Sequence, residues 1–297
     1  MRTDLVSFLI ALLLFGFNGI LAEQIALPAY EIVFWRIGIG GAVLTAIFLG
    51  KGGRCSFLRH RRSFIFLLFS GASLAVSWIF LYEAYTLLGV GLATLIYYCG
   101  PMIVMILSPV LFHEKITIGR SIGFAAATAG IVLVFGHVAA CGSLFPGITC
   151  AAPAAVMFAL MMICSKKSVN IGGLENAVIQ LLAGFITIAV FILLQHGTFT
   201  AVPSESYFPI FLLGAVNTGL GGYLYFSAMN RLPAQTVAVC GYLEPLAAVF
   251  FSSAILKETL FPLQIFGAVM ILGGAAFGEL SAAGKSPFRQ TRSPQVK

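Results

Sequence analysis

A glutamate and a proline stand side by side inside an otherwise apolar stretch of this sequence. Glu244 and Pro245 lie within the run Ala234 to Leu256, about twenty-three residues long and therefore long enough to cross a bilayer. A carboxylate at the bilayer centre costs at least ~2.5–3.5 kcal/mol, so it is retained only where it faces protein or water. Proline frees a backbone carbonyl, which membranes tolerate only where another group satisfies it. The pair therefore predicts a polar cavity.

Glu244 has two interpretations. Burial disfavours its charged form, so the carboxylate could act as counter-ion for a substrate amine or as a proton carrier. Alternatively, Glu244 is structural and is protonated or bonded to the carbonyls freed by Pro245. The first interpretation places a substrate beside this residue.

Arg36 is the second charged candidate. It lies about seven residues, or roughly 10 Å, from the outer end of a predicted helix. A guanidinium at this depth could hold a substrate carboxylate or pair with Glu244, which we expect about one helical turn deeper. It could equally extend to the outer headgroups or cap a neighbouring helix.

Aromatic and amide side chains complete the candidate binding set. Tyrosine hydroxyls near the bilayer midplane need partners, which makes Tyr97, Tyr98 and Tyr242 the better cavity candidates. A buried asparagine could bond either a neighbouring helix or a ligand. The remaining candidates for the substrate site are Trp78, Tyr82, Asn18 and Asn217.

The composition predicts an integral membrane protein. Hydrophobic residues make up 60% of the 297 and charged residues 9%, more apolar surface than a water-soluble domain can bury. The net charge is +7, but the basic residues lie in short loops beside apolar runs, so no nucleic-acid partner is expected. The six cysteines show no C-x-x-C and the four histidines no ligand spacing. We therefore expect no metal, no cofactor and no enzymatic activity.

Ten apolar runs predict ten transmembrane helices, called spans 1 to 10, in an all-α fold. Their limits, to within about four residues, are Leu5–Ala22, Tyr30–Leu49, Phe64–Leu81, Val90–Phe112, Ile118–Val138, Leu144–Cys164, Asn176–Leu194, Tyr207–Ala228, Ala234–Leu256 and Pro262–Glu279. With the N-terminus inside, fifteen of the seventeen lysines and arginines fall in cytoplasmic segments. This bias predicts an inner-membrane protein with both termini in the cytoplasm. The basic tail, residues 281–297, is expected to be disordered.

The chain repeats itself at a shift of 144 residues. The shift aligns Pro101 with Pro245 and Glu114 with Glu258, rare residues that keep the same 13-residue separation in both halves. Further aligned pairs are Glu31 and Glu175, Ala84 and Ala228, Gly123 and Gly267, and Gly130 and Gly274. The repeat also pairs span 1 with span 6, which makes the N-terminal run a structural helix rather than a cleaved signal peptide.

Residues 1–138 and 144–280 thus form two repeats of five helices each. Because five is odd, the second repeat enters the membrane from the opposite side, as in alternating-access transporters.

Two pairs of repeat-related residues lie in or directly after spans 4 and 9. Pro101 and Pro245 fall near the middle of spans 4 and 9, where they either break the helix beside a binding site or make a harmless kink. Glu114 and Glu258 follow these spans and precede the next helices, so we expect structural caps.

Two segments in matching positions carry a resemblance to a known family. They run from Pro101 through Ser108-Pro109 to His113-Glu114-Lys115-Ile116-Thr117, and from Leu243-Glu244-Pro245 to Leu256-Lys257-Glu258-Thr259-Leu260. Together with Phe34-Trp35-Arg36 and Ala84-Tyr85, they resemble the drug/metabolite transporter superfamily, EamA type, over about residues 5 to 280. The chain departs from the family where Lys257 and His113 replace the glycine that usually precedes the glutamate.

The resemblance implies that spans 4 and 9 line a central cavity and that the protein transports a small molecule, with amino acids or their analogues as the leading class. Export down a substrate gradient, by exchange or coupled to protons is expected, because the chain has no ATP-binding motif. Glu244 and Arg36 would suit a zwitterion, and the tyrosines an apolar or aromatic side chain. Efflux of cationic drugs or quaternary ammonium compounds is one alternative, and a non-transporting membrane enzyme or scaffold is the other.

Overall fold

The computed structural model describes residues 2–53, 55–112, 118–140, 145–195, 199–229, 231–232, 234–258 and 261–283. This part of the chain is helical and has no strand. Its helices are α1 (Arg2–Gly16), α2 (Asn18–Glu23), α3 (Ala29–Gly50), α4 (Arg61–Leu88), α5 (Val90–Tyr97), α6 (Cys99–Phe112), α7 (Ile118–Ala140), α8 (Phe145–Lys167), α9 (Gly173–Gln195), α10 (Tyr207–Phe211), a π-helix (Leu212–Leu220), α11 (Gly221–Met229), α12 (Ala234–Gly241), α13 (Leu243–Ile255) and α14 (Pro262–Ala283).

These helices confirm the predicted all-α membrane fold. Seven helical segments of the described chain are long and apolar enough to cross a membrane, and they correspond to spans 1 to 4 and 6 to 8. Shorter apolar helices within α7, α13 and α14 correspond to spans 5, 9 and 10. Glu114 and residues 284–297, which contain most of the predicted basic tail, lie outside the described residues.

Span 3 is longer than its apolar run predicts. The run ends near Leu81, but α4 continues to Leu88. The helix contains Tyr82, as predicted, and also Tyr85, which we expected after the helix. Both tyrosines are buried by neighbouring helices. This packing stabilises the helix beyond the end of the apolar run, although the sequence there is more polar. It ends at Gly89, whose φ of 82° lies in the left-handed region that glycine adopts without steric cost.

Spans 4 and 9 are each broken at the same place. α5 ends before Tyr98 and α12 ends before Tyr242, and these two tyrosines are 144 residues apart. Pro101 and Pro245 are consequently the third residues of α6 and α13. Amides in the first turn of a helix have no intrahelical partner, so proline is tolerated there. The helix break therefore precedes each proline by three residues.

Close glycine contacts between α7 and α14 show how the two repeats are related. A Cβ atom on Gly274 would lie 2.6 Å from the carbonyl oxygen of Gly123, and one on Gly130 would lie 2.5 Å from that of Gly267. Residue numbers rise along α7 as they fall along α14, so the helices are antiparallel. The shift of 144 residues pairs Gly123 with Gly267 and Gly130 with Gly274. The contacts exchange these partners, as a two-fold axis between the helices requires.

The other spans pack around the broken helices. α4 packs against α8 and α9, α3 against α9 and the π-helix, and α13 against α1 and α5. One end of the bundle, called the terminal face, carries Asp4 beside Arg231, with 3.4 Å between their charged atoms. The other end, called the opposite face, carries Glu258 beside the start of α5.

The close contacts between α7 and α14 predict that a larger residue at one of their contacting glycines destabilises the protein. In Gly274→Ala the new methyl group meets backbone of α7, and we expect a loss of ~1–3 kcal/mol, seen as a lower melting temperature of the purified protein in detergent. Gly273→Ala, one residue away, meets no atom within 4 Å and is the matched control. It should be neutral or stabilising by up to ~1 kcal/mol. Equal melting temperatures for the two variants would contradict the α7–α14 packing.

Candidate functional site

Arg36 lies deep in the protein with three neighbours around its guanidinium group. It is 4% exposed, and its Nε donates a hydrogen bond to Thr218 Oγ1 at 2.8 Å. Its Nη1 donates to the Tyr82 hydroxyl, and its Cζ lies 3.8 Å from the centroid of the Trp78 ring. Among the described residues no carboxylate forms an ion pair with Arg36. We call Arg36, Trp78, Tyr82 and Thr218 the arginine cluster.

The π-helix of span 8 explains how Thr218 reaches this cluster. Thr218 Oγ1 donates to the carbonyl of Leu213, five residues earlier, at 2.8 Å. The wider turn of a π-helix changes the direction of successive side chains, and such segments are frequent at functional sites. Thr218 was not among the site residues predicted from the sequence. The available signal was a pair of adjacent polar residues, Asn217-Thr218, in an otherwise apolar span.

Asn217 and Asn18 bond each other rather than joining the arginine cluster. Asn217 Nδ2 donates to Asn18 Oδ1 at 3.0 Å and to the carbonyl of Leu14 at 2.8 Å. Leu14 belongs to the last turn of α1, and Asn18 begins α2 after the break at Phe17. The two asparagines therefore join span 1 to span 8 at this break.

Glu244 forms a second polar group. It is the second residue of α13, where a helix N-terminus stabilises negative charge, and its carboxylate interacts with the nearby side chain of Tyr98. Tyr225 also lies within electrostatic range of the carboxylate. We call Glu244, Tyr98 and Tyr225 the glutamate cluster. Tyr242 forms the helix break two residues before Glu244.

The repeat partner of Glu244, Gly100, has different surroundings. A Cβ atom on Gly241, at the end of α12, would meet nothing within 4 Å. A Cβ atom on Gly100 would lie 2.7 Å from the Phe158 ring and 2.9 Å from the Ala155 carbonyl oxygen. α8 therefore fills the space at Gly100, whereas Glu244, at the matching position of the other repeat, is half-buried and follows the open position at Gly241 by three residues.

Tyr97 connects the two clusters. Its ring stacks on Phe158 with 4.4 Å between centroids and 10° between planes. Its side chain interacts with those of Ser77 and Trp78, and both Glu244 and Arg36 lie near enough to interact with it electrostatically. The predicted site residues Arg36, Trp78, Tyr82, Tyr97, Tyr98 and Glu244 thus lie in one polar region between α3, α4, α5 and α13.

Glu258 caps a helix in the other repeat. Its carboxylate accepts hydrogen bonds from the backbone amides of Val90 at 2.7 Å and Gly91 at 2.9 Å, at the start of α5. The expected helix was the one that follows Glu258, which is α14. The preceding residue, Lys257, has a φ of 57°, in the left-handed region that favours the glycine for which it substitutes.

Two further glutamates accept hydrogen bonds from residues of the other repeat. Glu31 accepts hydrogen bonds from the amide and hydroxyl of Thr200 at 2.9 and 2.7 Å. Its repeat partner Glu175 accepts from the Phe57 amide at 2.9 Å and from the Ser56 hydroxyl. Ser56 and Thr200 are themselves 144 residues apart. The two bonds are therefore related by the same two-fold axis, one near each face.

Comparisons with known proteins agree with this architecture. The model of the EamA-like transporter family matches twice, at residues 3–136 and 145–278. The uncharacterized transporter YxxF of Bacillus subtilis (strain 168) is 24% identical over 287 residues, which cover 96% of this chain and 92% of that protein. The uncharacterized transporter YetK of the same organism is 29% identical over 187 residues, 59% of this chain and 55% of that protein.

A solved crystal structure has the same fold. It superposes with a TM-score of 0.66 at 20% sequence identity and covers 95% of this chain and 99% of the other. At this identity the likeness concerns the fold alone.

Proposed function

Because the chain belongs to the EamA-like transporter family, we propose that it exports a small zwitterionic metabolite, an amino acid or a close analogue, by alternating access of its two inverted repeats. The observation that carries the proposal is Arg36, a buried cation that no described carboxylate neutralises.

A buried, unpaired guanidinium is costly, so its retention points to a missing counter-charge. Thr218 and Tyr82 accept hydrogen bonds from Nε and Nη1, and Trp78 covers one face of the group. None of these neighbours is an anion. Nη2 makes no hydrogen bond within the described protein, and a planar carboxylate matches the guanidinium edge. The substrate carboxylate therefore binds Arg36.

Glu244 takes the substrate amine in this proposal. It lies within electrostatic range of Arg36 without forming an ion pair with it, so each group can hold one charge of a zwitterion. The open space beside Gly241 gives room for the ligand. Trp78, Tyr97 and Tyr98 supply aromatic surface for an apolar or aromatic side chain.

Transport then requires the broken helices α5–α6 and α12–α13 to move with the repeats.

We place the terminal face on the cytoplasmic side of the cell's inner membrane. The described basic residues at that face are Lys51, Arg59, Arg61, Arg62, Lys166, Lys167 and Arg231. Energy comes from the substrate gradient, exchange or protons, the last carried by Glu244.

Efflux of cationic drugs is the second candidate. The observation that favours it is the pair of tyrosines, Tyr98 and Tyr225, around the Glu244 carboxylate, since aromatic rings and an anion together bind organic cations. Arg36 has no role in that function.

Substitution of Arg36 separates the two candidates. In proteoliposomes loaded with unlabelled amino acid, the parent should accumulate radiolabelled amino acid by counterflow. In Arg36→Ala this counterflow should fall at least ten-fold, because the substrate carboxylate loses its partner. Arg36→Lys should recover only part, since an ammonium cannot hold a carboxylate through a planar edge. Arg231→Ala, at an exposed cation, is the control. Parent-level amino-acid counterflow by Arg36→Ala would contradict the proposal.

Proton coupling depends on Glu244. An imposed pH gradient should drive net uptake by the parent, and Glu244→Gln should remove this response because glutamine cannot exchange a proton. Uptake is measured at a series of gradients, with Glu83→Gln, at an exposed position of α4, as the control. If the glutamine variant keeps the pH dependence of the parent, Glu244 is not the proton carrier.

A further inference from the structure

A small cavity opens near the opposite face, beside the arginine cluster. It has a volume of about 160 Å³ and lies between α2, α3 and α4. Glu23 and Thr86 lie at its exposed rim, and Tyr82 and Tyr85 form its inner wall with Ile32. Arg36 follows Ile32 by one helical turn but does not line the cavity. We call this cavity the vestibule.

Tyr82 separates the vestibule from Arg36. Its ring lines the cavity while the residue as a whole is only 2% exposed, and its hydroxyl accepts the hydrogen bond from Arg36 Nη1. The ring of Tyr85, one turn further along α4, has its centroid 5.4 Å from that of Tyr82, with 38° between the ring planes. The Tyr85 hydroxyl accepts a hydrogen bond from Thr94 Oγ1 on α5 at 3.5 Å, whereas the hydrogen bonds of Arg36 in the described part of the chain go to Thr218 and Tyr82. The two tyrosines are thus similar in position but differ in partner.

We propose that the vestibule is the part of the transport pathway that leads to the opposite face, and that Tyr82 keeps it closed by occupying Arg36. The substrate carboxylate opens it by taking Nη1 from the tyrosine hydroxyl. The identity of the displacing group rests on the proposed function, whereas the closing role of Tyr82 concerns the substrate-free protein and does not depend on it.

Hydrogen-bond strength gives the direction of the exchange. A bond from a guanidinium to a carboxylate carries charge on both partners and is about twice as strong as one to a neutral acceptor such as a phenol. A carboxylate at Arg36 therefore displaces the hydroxyl, which then has no partner at that position. Tyr82 is free to adopt another rotamer, and the Arg36 region becomes continuous with the vestibule. Substrate binding and opening toward this face are thereby the same event.

Fluorescence quenching of Trp78 tests the closing role. The chain has two tryptophans, so Trp35→Phe leaves Trp78, which stacks on Arg36 behind Tyr82, as the sole reporter. Acrylamide is a suitable quencher because it is neutral and is not attracted to the arginine. In substrate-free protein in nanodiscs, Tyr82→Phe should raise the quenching constant at least two-fold, because the ring is no longer held by Arg36.

Tyr85→Phe is the matched control, since it removes a hydroxyl from the same wall but no hydrogen bond of Arg36. Its quenching constant should equal that of the Trp35→Phe background. Size-exclusion profiles and melting temperatures check that both variants fold. Unchanged quenching in folded Tyr82→Phe, or an equal rise in both variants, would overturn the closing role.

Ligand titration separates this proposal from the proposed function. L-Phenylalanine should change Trp78 quenching in the Trp35→Phe protein, because it opens the vestibule and also covers the indole. Tyr82→Phe should bind it about three- to ten-fold more tightly because no hydroxyl competes for Nη1. If L-phenylalanine has no effect on quenching while Tyr82→Phe still raises it, the substrate class is wrong and the closing role of Tyr82 stands. If L-phenylalanine binds equally tightly to both proteins, the competition between carboxylate and hydroxyl is wrong.

Discussion

Polar groups within a bilayer must find partners inside the protein, because the hydrocarbon offers none. This constraint accounts for the polar contacts that join the two repeats. Glu258 satisfies the free amides at the start of α5, and Glu31 and Glu175 bind loops of the opposite repeat. Each of these carboxylates joins one repeat to the other. The same bonds that satisfy buried groups therefore hold the two inverted halves together.

The helices of the two repeats are arranged symmetrically, whereas the polar side chains at matching positions differ. Arg36 has Gln180 as its repeat partner, and Gln180 accepts a hydrogen bond from Ser70 and donates one to Asn176 within its own neighbourhood. Gly100, the partner of Glu244, is packed against α8. Both charged groups of the polar region thus lack a charged counterpart in the other repeat. A binding site for one substrate orientation is most easily built by such differences on a symmetric frame.

The sequence predicted those features that depend on the apolar composition of long runs and on the internal repeat. The apolar runs predicted the spans, and Pro101/Pro245 with Glu114/Glu258 predicted the inverted repeat, because rare residues recurring at one shift are informative even in an apolar chain. The features that it missed depend on tertiary contacts. No local pattern indicates that Glu258 caps α5 across 168 residues, or that a π-helix turns Thr218 toward Arg36. The end of α4 was also misplaced, since buried tyrosines are not distinguishable from interfacial ones by hydropathy.

The central claim is that Arg36 and Glu244 each bind one charge of the same substrate. Equilibrium binding of three ligands that differ only in their charged groups, L-phenylalanine, phenethylamine and 3-phenylpropionate, to the purified protein tests it directly. We expect phenylalanine to bind at least ten-fold more tightly than either analogue, because each analogue leaves one buried charge without a partner. Binding of phenethylamine as tight as that of phenylalanine would contradict it and leave Glu244 as the sole charged contact.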